Sequence, residues 1–134
     1  MTVTREEVRE VRTSEDVVSA RQAVREWALQ LGFSLVEQTK IVTAASELAR
    51  NTIVHGGGGT MRLQALNDGP RRGLQLVFED SGPGIVDVDR ALQDGYTTGT
   101  GLGLGLGGAR RLSNEFEIES SPGRGTRVRI ARWR

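Results

Sequence analysis

The sequence predicts an α/β (α+β) fold from three observations. Apolar residues recur at helical spacing twice before position 55, and at every second position in two pairs of runs after position 60; turn-forming glycines separate the two regimes. A chain of 134 residues has interior enough for one core and too little for two, so a single domain over 1–134 is expected.

Residues 4–13 carry Val8 and Val11 among charges, a pattern open to a short edge strand or an irregular lead-in. Ser14-Glu15-Asp16 then reads as a helix start. Val17, Ala20, Val24, Trp27, Ala28 and Leu31 follow at helical spacing until Gly32 stops the run. Ser34 caps a second helix, with Glu37 at the capping-box position and an inward stripe of Ile41, Val42, Ala45, Leu48, Ala49 and Ile53. That helix ends at His55, before the glycine run 56–59. Met61, Leu63 and Ala65, then Leu74, Leu76 and Phe78, alternate with polar residues as two strands, joined by the turn chemistry of Asn67-Asp68-Gly69-Pro70. A short helix is expected within 87–94 and another from about Leu106 to Leu112, beginning inside a glycine run. A last hairpin centred near Gly123 pairs Phe116 with Ile130, Ile118 with Val128, Glu117 with Arg129 and Glu119 with Arg127. Apolar then meets apolar and acid meets base.

Composition excludes several functions. With 18 basic and 17 acidic residues the chain has no long-range field to draw nucleic acid or an anionic membrane. Two of the five C-terminal arginines, Arg127 and Arg129, are answered by cross-strand acids and no aromatic platform accompanies the group, so neither nucleic acid nor membrane is an expected partner. Lys40 is the only lysine and sits in neither a P-loop nor a protein-kinase strand. Without cysteine there is no disulfide frame or thiol chemistry. A charged start in place of a signal peptide, and no apolar run of membrane-spanning length, predict a cytoplasmic protein.

Three stretches carry chemistry. Glu47 and Asn51 stand one helical turn apart, so a carboxylate and an amide oxygen aim at one small volume: a base beside a metal ligand. Asp80 closes a strand just before Gly82 and Gly84. The turn does not require a carboxylate there, whereas the exocyclic amino group of adenine would give one a partner. The run 101–108 contains a dinucleotide fingerprint, Gly103-x-Gly105-x-x-Gly108, that follows no strand. It reads instead as a glycine-rich lid entering a helix N-terminus, whose amides favour phosphate. Together these predict a nucleotide site without a P-loop.

On these blocks, Glu47 to Asn51, Asp80 to Gly84 and Gly99 to Gly105, with Gly125-Thr126 beyond them, the chain resembles the GHKL superfamily of ATP-binding proteins, which includes sensor histidine kinases, gyrase and MutL. Ser46 to Asn51, Asp94 to Thr98, Ala109 to Leu112 with Glu115-Phe116, and the Arg132-Trp133 ending are most similar to the small bacterial switch kinases of the RsbT type, close to the anti-sigma kinases RsbW and SpoIIAB. The resemblance implies a Bergerat ATP site on a two-layer sandwich, one mostly antiparallel mixed sheet covered on one face by helices. It implies Glu47 as general base, Asn51 as Mg2+ ligand and Asp80 as the adenine-reading carboxylate. Gly82 and Gly84 would admit the adenine, Gly99, Thr100, Gly101, Leu102, Gly103, Leu104 and Gly105 would wrap the phosphates, and Thr126 would support Asp80 through a hydroxyl or water.

The implied cofactors are ATP and Mg2+. The implied partners are STAS-domain antagonist or scaffold proteins (RsbS- and RsbR-like), phosphorylated on serine or threonine in a stressosome circuit, and a PP2C-type phosphatase (RsbU-like) activated on release. His55-Gly56 is closer to the anti-sigma branch, and Gly99 and Gly107 replace a lid arginine and a proline common in relatives. The γ-phosphate cation is therefore open among Arg50, Arg110 and Arg111. His55 is either a phosphate contact or a helix-terminal histidine interacting with the dipole. Two other readings follow the kinase: a sigma-binding module, and the detached ATP module of a sensor histidine kinase.

Overall fold

The fold is a computed structural model describing residues 1–93 and 105–134. A strand β1 (Thr2–Val11) leads into α1 (Ser14–Gln30) and α2 (Leu35–Val54). The hairpin β2 (Gly59–Asp68) and β3 (Arg71–Asp80) follows, then the short α3 (Val88–Ala91) and α4 (Gly105–Arg111), and the hairpin β4 (Glu115–Ser120) and β5 (Thr126–Trp133). Strand order is β1-β2-β3-β5-β4, and every pairing is antiparallel. The parallel pairing of a mixed sheet is thus absent among the described residues. Residues 4–13, open between strand and lead-in, form most of an edge strand paired to β2.

Local chemistry sets the helix ends. Thr13 accepts the Asp16 N–H at 3.2 Å while the Asp16 carboxylate accepts the N–H groups of Thr13 and Arg12, so the cap lies one residue before Ser14. Gly32 at φ 83° ends α1, and the Ser34–Glu37 capping box restarts the chain as α2. The last hairpin takes the expected register, Phe116 with Ile130 and Ile118 with Val128.

One sheet face presents Met61, Leu63, Leu74, Leu76, Phe78, Val128 and Ile130 to the helices. Ala20, Ala28, Ala45, Ala49 and Ala109 let the helices lie close, and Trp27 and Ile41 fill the gap. Arg5 covers Trp27, its guanidinium carbon 4.1 Å from the ring centre. The other face carries a chain of side-chain bonds across all five strands. Arg62 and Gln64 donate to Glu6, Gln75 to Gln64, Arg129 to Gln75, Glu115 and Glu117, and the Trp133 indole N–H to Glu115. Arg71 stacks on Trp133 at 4.2 Å. Leu66, Val77 and Ala131 lie buried among these polar side chains. No described helix is long and apolar enough to cross a membrane.

Candidate nucleotide site

The site forms where the end of α2, the end of β3 and the start of β5 meet. Asp80 is register partner to Gly59 on one side and Thr126 on the other, so the last residue of β3 is held from both edges. Its Oδ1 accepts the Gly82 N–H at 2.9 Å. The carboxylate packs directly on Gly56, where a Cβ would overlap it, and a Cβ on Gly82 would lie 2.7 Å from the Gly56 Cα. Gly84 adopts φ 77°, with its Cα against the Ser121 carbonyl. Backbone therefore approaches the aspartate as no side chain would permit.

Beside Asp80, Asn51 and His55 of α2, Thr126 of β5 and Gly105 of α4 border a cavity of about 430 Å³, within the size range of small-molecule sites. Leu48, Phe78, Ile85 and Leu106 supply apolar wall, and Arg90 lies on the rim formed by α3. Of the expected site residues, Asn51, Asp80, Gly84, Gly105, Thr126 and His55 line this cavity. Gly82 lies behind Asp80 as its hydrogen-bond donor. Gly99, Thr100, Gly101, Leu102, Gly103 and Leu104 lie outside the described residues.

Glu47 and Arg50 do not line the cavity. The expectation that the Glu47 carboxylate and the Asn51 amide oxygen aim at one volume is therefore not met: Asn51 borders the cavity and Glu47 lies beside it, buried in the helix packing. Glu47 is 5 % exposed, the only buried charged residue among those described, and its Oε1 accepts from Arg50 Nη1 at 3.2 Å. His55 is the C-cap of α2, donating its backbone N–H to the Asn51 carbonyl, and it borders the cavity.

Two residues escaped the sequence reading. Gly56, read as the start of the glycine run after α2 and, with His55, as a mark of the anti-sigma branch, makes room for the Asp80 carboxylate. Ser120 accepts the Ile85 N–H at 2.8 Å, lies 2.8 Å from the Thr126 hydroxyl and donates to the Gly125 carbonyl at 3.0 Å. A carbonyl only accepts, so the single Ser120 proton goes to Gly125 and the Thr126 proton goes to Ser120. The Thr126 hydroxyl thus supports Ser120 rather than bonding the Asp80 side chain directly, and with its proton committed it can only accept from a ligand. Asp80 and Thr126 together make a wall of acceptors, which fits a ligand edge rich in N–H.

The donor set also bears on metal. Among the described residues no three His, Cys, Asp or Glu side chains group to cage an ion. An amide oxygen such as that of Asn51 beside room for phosphates fits Mg2+, which keeps its waters and takes few protein ligands.

Comparison with known proteins identifies the family. The histidine kinase-like ATPase domain family matches residues 11–132. The serine/threonine-protein kinase RsbT of Bacillus subtilis (strain 168) is 42% identical over 123 residues, covering 92% of each chain. The chain belongs to the histidine kinase-like ATPase family, as a serine/threonine-protein kinase of the RsbT type. Its histidine kinase-like ATPase relatives include an anti-sigma F factor from Thermoanaerobacter sp. (strain X514), 32% identical over 85% of this chain and 82% of that one. A crystal structure of the RsbU and RsbW domains of a Mycobacterium tuberculosis protein shares the fold at TM-score 0.63 and 21% identity, over 98% of this chain and 33% of that longer one. The catalytic domain of histidine kinase ThkA shares it at TM-score 0.52 and 18% identity, over 93% and 94% of the two chains. Membership makes ATP the expected nucleotide of the cavity.

Proposed function

We propose that residues 1–134 form one kinase domain that transfers the γ-phosphoryl group of ATP, with Mg2+, to a serine or threonine of a STAS-domain antagonist protein in a bacterial partner-switching circuit of the stressosome kind. Release from that partner frees the kinase to activate a PP2C-type phosphatase. One observation carries the reading: Asn51, Asp80 and Thr126, from three separate elements, converge on one cavity in a chain that is 42% identical to RsbT.

Each residue has a task. Asp80, with one oxygen held by Gly82, accepts from the adenine amino group through the other. Asn51 offers its side-chain oxygen to Mg2+, which when bound offsets the phosphate charge that would repel an incoming hydroxyl. Glu47, one turn before Asn51 on α2, receives the proton of the attacking hydroxyl. The bond from the γ-phosphorus to the bridging oxygen breaks, ADP leaves with that oxygen, and a new bond forms to the serine or threonine oxygen. Positioning dominates such chemistry, which suits a site with few charged groups.

The test uses the purified chain, labelled ATP and candidate STAS-domain proteins. Glu47→Ala is expected to keep ATP binding and lose transfer. Asp80→Asn keeps an oxygen for the Gly82 N–H, yet it is expected to lose nucleotide, because its amide then meets the adenine amino group donor to donor. Undiminished transfer by Glu47→Ala removes it as the base. The anti-sigma relatives favour a second reading, sequestration of a sigma factor. A stable sigma complex with no STAS response would select it.

A further inference from the structure

We propose that Arg50 is a positioning residue for the Glu47 carboxylate, and not a ligand of the nucleotide's phosphates; this rests on the reading of Glu47 as the base. Glu47 sits between Ala44 and Leu48 on α2, both fully buried and apolar. A carboxylate buried in such surroundings needs a hydrogen-bond partner. Arg50 supplies it, at 3.2 Å and one turn along the helix, and among the described residues it is the only group bonded to Glu47.

The direction of Arg50 argues the same way. Asn51 lines the cavity, whereas Arg50, rotated about 100° around the helix axis, does not; it lies with Glu47 outside the lining, and its bond is to that carboxylate. Two-fifths of its side chain meets solvent while Nη1 turns back to Glu47. Among the described residues the arginine that lines the cavity is Arg90, from α3. The bond from Arg50 takes Oε1 and leaves Oε2 without a hydrogen bond among the described residues, so one oxygen is anchored and the other is left to take a proton. A guanidinium holds this geometry better than an ammonium, whose donors converge on one point.

The test compares Arg50→Met, Arg50→Lys, Glu47→Gln and the double variant in the full chain. Transfer kinetics and calorimetric titration with magnesium ATP and magnesium ADP are measured, and urea midpoints establish that each variant is folded. Arg50→Met is expected to lower kcat by about tenfold or more, part of what a positioned base contributes, while ATP and ADP affinities stay within about twofold. Arg50→Lys recovers part of the rate, and in the Glu47→Gln background Arg50→Met lowers the residual rate no further. Weakened ATP binding with ADP unaffected would make Arg50 a γ-phosphate ligand and overturn the proposal. Equal fold-losses with and without Glu47 would overturn it too, as would wild-type turnover by a folded Arg50→Met. Should Glu47→Gln alone turn over normally, the base assignment falls first, a result distinct from any of these.

Discussion

At the scale of single residues, the site depends on closeness more than on charge. Asp80 is pinned through Gly82 and walled by Gly56, so a methyl group at position 56 has no room unless the carboxylate moves. Gly56→Ala is expected to cost about 1–3 kcal/mol of stability, the usual range for overpacking. It is also expected to abolish the heat of ATP binding in calorimetry. A variant that binds ATP normally would show that the aspartate tolerates displacement. Asn51 and Asp80 were legible because each is a polar residue where local structure asks for none. Gly56 was not, since a glycine after a helix has an ordinary use there. Ser120 was within reach: the acid–base pairing of Glu119 with Arg127 already sets Ser120 opposite Thr126.

At the scale of elements, the hairpin of β4 and β5 depends on pH. The Trp133 indole N–H, and then Arg129, hold the Glu115 carboxyl below the usual glutamate range, and Arg129 does the same for Glu117. A carboxyl that gives up its proton more readily when folded adds stability above its unfolded pKa, about 4.3, and loses that contribution as the pH falls below it. Glu115→Gln should therefore lie below the parent chain in urea midpoint at about pH 7, with the gap closing at about pH 3. A gap independent of pH would assign the effect to packing. The Ser34–Glu37 cap and the register of this hairpin were legible, because the partners lie within a few residues or across one turn, whereas the Thr13 cap of α1 was placed one residue late, at Ser14. The pairing of β3 with β5 was not, since at least α3, α4 and β4 intervene among the described residues and no local signal spans them.

At the scale of the whole molecule, the two sheet faces do different work. The helix-facing side is a packed apolar layer with Leu76 fully buried at its centre. Leu76→Ala is expected to cost about 2–5 kcal/mol, read as a lower midpoint in chemical denaturation. A loss under about 1 kcal/mol would mean that the layer closes over the gap. The two-layer arrangement and the mostly antiparallel sheet were foreseen; among the described residues the sheet lacks the parallel pairing that family likeness implied. Strand direction across a long connection is a property of the assembled layers, and no residue pattern states it.

The two tryptophans, finally, are placed so that the protein carries its own optical gauges. Trp27 is sealed beneath Arg5 in the interior, Trp133 lies on the opposite side under Arg71, and neither borders the cavity. Emission from the pair will follow the loosening of each layer during denaturation, with Trp133 alone sensitive to acidification through its bond to Glu115. Titrations with nucleotide need a labelled ligand or a calorimeter, because these indoles look away from where it would sit.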